Sequence, residues 1–161
     1  NTMVTGHSKA QEEITIPASG FYPEISLSHF RRAMRIHSNV ENEYCIAELE
    51  YAIASVSDEL IAFESRYIAE GYQTLEAIPI IPGINPEIAG RSSFYLKWRE
   101  AVYTLAKAAL LEVSLNDYDL TRKSGEDRSK RQESAVDDLR ARAIKAILSL
   151  TRGYPGFSEI V

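Results

Sequence analysis

The residues best able to do chemistry in this chain are three histidines, one cysteine and three pairs of adjacent carboxylates. His7, His29 and His37 are not spaced i, i+4, and no HExxH pattern sets two of them on one helical face. A metal site needs several such ligands to converge, so all three read as surface histidines. Cys45 stands alone, which excludes an intrachain disulfide and a CxxC ligand pair. A single thiol early in a helical stretch is expected to be buried and inert. Glu12-Glu13, Asp58-Glu59 and Asp137-Asp138 are neighbours in sequence, and such neighbours point different ways on a helix. They do not form a catalytic pair. Asp137 and Asp138 are instead expected in a first helical turn, where negative charge complements the helix dipole. No GxGxxG, Walker or GxSxG pattern occurs, so neither a phosphate cradle nor a nucleophile elbow is predicted. What remains is a basic cluster, Arg31, Arg32 and Arg35, with His37 beside it. It can contact DNA phosphates without reading sequence, or it can be a solvated face paired with acids. The prediction is a non-enzyme with no catalytic, cofactor or metal residues.

The elements around these residues are helical. The 161 residues suit one domain, and 45% hydrophobic with 25% charged residues is a globular composition. A net charge of −5 argues against a dedicated nucleic-acid binder, which would carry a basic excess. No apolar run approaches the roughly 18–20 residues of a membrane span, and the N-terminal stretch lacks a signal-peptide pattern.

Residues 1–20 are polar and cannot build a core of their own. They read as an arm that is ordered only where it lies on something: a neighbouring copy first, the chain's own core otherwise. Ile14 and Ile16, with Phe21 and Tyr22 at its end, are its candidate inter-subunit anchors. Ser26 or Ser28 can cap a short helix running to about Ile36, with Leu27, Phe30 and Met34, and Ala33 beside them, facing inward. Over residues 41–70, Leu49, Ile53, Val56, Leu60, Phe63 and Tyr67 repeat at spacings of 4, 3, 4, 3 and 4. That seam predicts one long helix, or two with a break near 55–57, closed by Gly71 at C′. The Pro- and Gly-rich residues 72–91 read as an irregular connector with one turn after Thr74. Its Ile78, Ile80, Ile81 and Ile84 are expected to pack on a helix or a partner. Ser92 or Ser93 caps a helix over 94–113, with Phe94, Trp98, Ala101, Leu105 and Ala108 on one stripe. The charge-dense residues 114–133 read as irregular. Ser134, with Asp137 at the reciprocal position, then caps a last helix on Val136, Leu139, Ala143, Ile147 and Leu150. Gly153 and Pro155 end it, and Tyr154 to Val161 leave as an apolar tail.

The fold class predicted is all-α: a bundle of about four helices, one of them long, with extended N- and C-terminal arms. The divisions are an arm at 1–20, a helical domain at 21–153 and a tail at 154–161. A tail carrying Tyr154, Phe157, Ile160 and Val161 around Pro155 needs a cover, either its own domain or a partner.

Several blocks in this order resemble a known family. They are Phe21-Tyr22-Pro23-Glu24-Ile25 followed by Arg32 to Ile36, and Glu59-Leu60 with Ile68 to Tyr72, Leu75 and Ile78-Pro79. Next come Tyr95, Glu100 to Tyr103, Ala106, Ala108 and Leu111-Glu112, and last Ser134 to Arg142, Ala146-Ile147 and Gly153-Tyr154-Pro155. The set is similar to the head-completion proteins, or head–tail connectors, of contractile-tailed temperate phages. It covers residues 21–161 and departs from the family in net acidity and in the longer Pro79–Pro86 connector. The resemblance implies an all-helical adaptor in the virion neck, assembled in the host cytoplasm. It implies a cyclic homo-oligomer, a dodecamer if it follows the portal, with portal protein, a neck or tail terminator and packaged double-stranded DNA as partners. It makes Tyr154, Pro155, Phe157, Ile160 and Val161 the candidate portal-docking residues, and it places Arg31, Arg32 and Arg35 as a candidate DNA-channel patch. The alternative is a small helical regulator that binds DNA or protein through those arginines.

Overall fold

The computed structural model describes residues 12–119 and 126–152. Among them are five α-helices and two small antiparallel strand pairs, so the all-α expectation holds.

The chain enters through a two-residue ladder, β1 (Thr15–Ile16) against β2 (Ile25–Ser26), with Ile16 opposite Ile25. Both are buried. Helix α1 (Leu27–Ala33) follows directly, and the Ser26 hydroxyl accepts the His29 N–H at 3.1 Å as its cap. Its inward residues are Leu27, Phe30 and Met34, while Ala33 is exposed. The helix closes when the Arg35 N–H donates to the Arg32 carbonyl and the Ile36 N–H to the Arg31 carbonyl. Arg35 thus occupies the left-handed C′ position at φ 52, normally taken by glycine.

The long seam is carried by two helices, α2 (Asn42–Glu59) and α3 (Ile61–Ala69). The break lies at Leu60 (φ −101, ψ 14) and not near 55–57. A straight helix drifts by about 20° per heptad against a 3.5-residue repeat. One interrupted residue resets that drift, and Phe63 and Tyr67 meet Phe94 at ring distances of 5.2 and 5.6 Å. The predicted terminator holds: the Tyr72 N–H reaches the Tyr67 carbonyl and Gly71 sits at φ 103.

Phe21 and Tyr22 plug the space between α3 and α4 (Ser93–Asp119). Phe21 meets Phe63 edge-on at 6.5 Å, and Tyr22 stacks parallel on Trp98 at 5.2 Å. Leu49, Val56, Leu60, Phe63, Trp98 and Leu150 are essentially inaccessible in the same core, with Leu105 and Ile147 half-buried at its edge.

The connector is more ordered than its composition suggests. Thr74 caps a single 3₁₀ turn, Leu75–Ala77, as expected. A hairpin of β3 (Glu87–Ile88) and β4 (Arg91–Ser92) then turns through Ala89 and Gly90, both at positive φ. Asn85 organises the segment. Fully buried, it donates from Nδ2 to the Pro79 carbonyl at 3.1 Å and accepts the Phe94 N–H on Oδ1 at 2.9 Å. Together with the Ser92 hydroxyl on the Tyr95 N–H and the Pro86 carbonyl on the Ser93 N–H, it satisfies the first turn of α4. Ile78 is buried, whereas Ile80 and Ile84 face outward. Asn85→Ala should cost about 2–4 kcal/mol in urea unfolding, because a helix N–H and a carbonyl lose their partners. A loss below about 0.5 kcal/mol, the range of an ordinary surface change, would contradict this role.

Helix α4 (Ser93–Asp119) outruns the predicted end at 113, and α5 (Glu126–Arg152) begins well before Ser134. Residues 114–119 and 126–133 are therefore helical, not irregular. In 126–133 the Arg, Lys and Glu are good helix formers that leave no apolar stripe to read, whereas 114–119 (Ser-Leu-Asn-Asp-Tyr-Asp) hold mostly residues of modest propensity and continue a helix already begun. Ser134 caps nothing, and Asp137 and Asp138 lie more than two turns into α5, so the dipole argument does not apply to them. Helices α4 and α5 pair more extensively than any other two elements and are tied by Arg140–Glu112 and Arg142–Glu100.

Candidate functional site

The predicted residues separate in space. Tyr154, Pro155, Phe157, Ile160 and Val161 lie outside the described residues, as do Gly153, His7 and the first eleven positions. Of the four residues assigned to an inter-subunit arm, Ile16, Phe21 and Tyr22 belong to the chain's own core, each at most 4% exposed. The β1–β2 ladder and the aromatic cluster hold them there. Ile14 alone of the four faces outward.

The arginine cluster divides as well. Arg31 is used internally: Nη1 donates to Cys45 Sγ at 3.1 Å and to Asn42 Oδ1, and Nη2 donates to the His37 carbonyl at 3.0 Å. This clamps the turn between α1 and α2. Burial pushes the Cys45 thiol up despite the nearby guanidinium, so it stays protonated. Arg32 and Arg35 are exposed and form no ion pair among the described residues.

The structure adds cations that the sequence reading did not join to this cluster. Tyr95, Arg99, Tyr103 and Lys107 recur every four residues along α4 and so share one face. Arg91 and Arg99 both stack over Tyr95, at 4.9 and 5.3 Å, and Arg99 also reaches Tyr103. A cleft of about 300 Å³ runs between α1, α4 and α5, lined by His29, Met34, Arg99, Glu100, Tyr103 and Arg142. Inside it, His29 Nδ1 and the Tyr103 hydroxyl share a hydrogen bond of 2.8 Å. Burial, then Arg99, Arg32 and Arg91, push the His29 pKa down, so the imidazole is neutral at neutral pH. The Tyr103 phenol is pushed up to about 12, chiefly by burial. Lys107 is shifted down, first by burial and then by Arg142 and Arg35. These groups form one basic surface. Among the described residues Glu100, paired with Arg142, and Glu13, held by Ser26 and Ser28 near Arg32, interrupt it, and at its edges Glu12 and Glu41 line a depression with Arg32 and Glu76 and Glu87 line one with Arg91. The i, i+4 stripe on α4 was the available signal.

The opposite charge is gathered on α2. It carries Glu43, Glu48, Glu50, Asp58 and Glu59 and no lysine or arginine. Its outward face presents Glu43, Glu50 and Asp58 around Ala47 and Ala54, flanked by Tyr44 at 60% and Tyr51 at 73% exposure. None of these carboxylates is ion-paired among the described residues.

No group of His, Cys, Asp or Glu among the described residues is placed to hold a metal ion, and no described helix is long and apolar enough to cross a membrane.

Comparison with curated proteins and with solved structures gives no match. The family model described as phage head completion protein (GPL) matches residues 16–154, which spans all five helices and the cores they share. The chain belongs to the phage head completion protein (GPL) family.

Proposed function

We propose that copies of this chain form a cyclic ring that docks on the portal, closes the DNA-filled head and presents the attachment site for the neck or tail. Membership in the family implies a virion component with a structural role in head assembly, in contact with other virion parts. The family match over residues 16–154 carries the proposal. In this reading the ring takes the portal's symmetry, a dodecamer, and is assembled in the host cytoplasm. Tyr154, Pro155, Phe157, Ile160 and Val161 dock on the portal, and a terminator protein binds the far side. Packaged DNA passes through the channel without sequence readout. Of the original triad, Arg32 and Arg35 are the two exposed cations, since Arg31 is used inside the chain. No catalytic step, cofactor or metal is assigned.

The second reading, a small regulator that binds duplex DNA, draws its support from the basic cleft. Nuclease protection separates the two. Filled heads made without this chain should lose most of their DNA to nuclease and accept no tails, and adding the purified protein should restore both. Heads that hold their DNA and complete normally without it would refute the adaptor reading.

A further inference from the structure

We infer that the acidic outer face of α2 in one copy docks on the basic cleft of α1, α4 and α5 in the next, a head-to-tail contact between copies of this chain. The inference deepens the ring reading and rests on it. Two unmatched surfaces of opposite sign on one chain carry the argument. On α2, Glu43, Glu50 and Asp58 point outward with no cation in the helix and no ion pair among the described residues. On the other surface, Arg32, Arg35, Arg91, Arg99 and Lys107 likewise form no ion pair among the described residues.

The residue types match as well. Tyr44 and Tyr51 stand out from the acidic face, and arginines line the cleft. Tyrosine and arginine are the residues enriched in protein interfaces, where a guanidinium stacks on a ring. Within the chain, Arg91 and Arg99 already make that contact with Tyr95. DNA is the weaker occupant of the cleft. The chain carries a net charge of −5, which repels a polyanion as a whole, and Arg99 is half-covered by Tyr95 and Tyr103.

Because the two faces differ, each copy joins one neighbour by its acidic face and another by its basic face. Such a contact propagates and can close as a ring. Opposed charge on the two faces also fixes the order in which copies meet.

The test uses two charge-reversal variants of the full chain. One carries Glu43→Lys, Glu50→Lys and Asp58→Lys; the other carries Arg32→Glu and Arg91→Glu. All five positions are exposed, so both variants should fold, which circular dichroism checks. In sedimentation at low ionic strength, the unaltered protein should form species larger than dimers that dissociate as salt is added. Each variant alone should associate at least about tenfold more weakly, and an equimolar mixture should regain assembly because each supplies the face the other lacks. Variants that assemble as the parent does, a mixture that stays monomeric, or a parent that stops at two copies would overturn the contact. So would a parent that stays monomeric and shifts duplex DNA through Arg32 and Arg91. If both variants build normal rings on purified portal, this interface is wrong while the ring reading stands. If the unaltered protein builds none, the ring reading itself fails.

Discussion

Leu60→Ala is expected to destabilise the folded chain by about 2–5 kcal/mol, the range of a buried leucine that leaves a cavity. Leu60 is inaccessible to solvent and lies where α2 hands over to α3. Its N–H donates to the Val56 carbonyl, and its own carbonyl accepts the Glu64 N–H, so the backbone on both sides is held in place. The surroundings cannot easily collapse into the space, because interdigitated side chains already fix one another's positions. A domain of this size has roughly 5–15 kcal/mol of stability in total. The change should therefore lower the melting temperature by several degrees or leave the chain largely unfolded. Ile61 is the matched control. It is the next residue and almost as large, yet it is 65% exposed. Ile61→Ala should stay within about 0.5 kcal/mol. Equal losses at the two positions in urea titrations would show that the seam does not face inward through the break.

The seam itself was legible because a helix that packs on a core must repeat its apolar residues. Leu49 to Tyr67 announce both the helix and its buried side, and Val136, Leu139, Ala143 and Leu150 do the same for α5. Caps that act through local chemistry were legible too: Ser26, Thr74, Ser92 and Gly71 stand where their side chains or missing Cβ are needed. The break at Leu60 was not, since it follows from the global path of the seam and carries no Gly, Pro or capping side chain. The start of α5 was misjudged because beyond the core a helix needs no apolar stripe, and charged residues with good propensity look like a loop to a periodicity argument; the end of α4 was misjudged because Ser-Leu-Asn-Asp-Tyr-Asp has modest propensity and only continues a helix already begun. Ile16, Phe21 and Tyr22 were assigned outward because a short polar arm gives no local reason to fold back. The reason lies in the distant rings of Phe63 and Trp98. The basic surface was half-read. Arg32 and Arg35 are visible as a run, but Arg91, Arg99 and Lys107 join them only once α4 lies beside α1.

Removing residues 154–161 should leave helicity and melting temperature nearly unchanged while abolishing portal binding. The segment lies beyond α5, and the family match ends at 154. It carries Tyr154, Phe157, Ile160 and Val161 within eight residues. An aromatic seated in a partner's pocket typically contributes about 2 kcal/mol or more, so two such rings with two aliphatic residues can dominate a docking contact. A tail folded onto its own domain would behave differently, since its loss would expose core and lower the melting temperature. The two outcomes are thus separable with one truncated protein.

The most direct measurement is electron microscopy of purified portal mixed with the full-length chain, and separately with the chain lacking 154–161. The account predicts an added ring of density with the portal's rotational symmetry in the first sample and bare portals in the second. Bare portals in both, or an equal ring in both, would contradict it: the former would remove the adaptor ring, and the latter would take the docking role away from the tail.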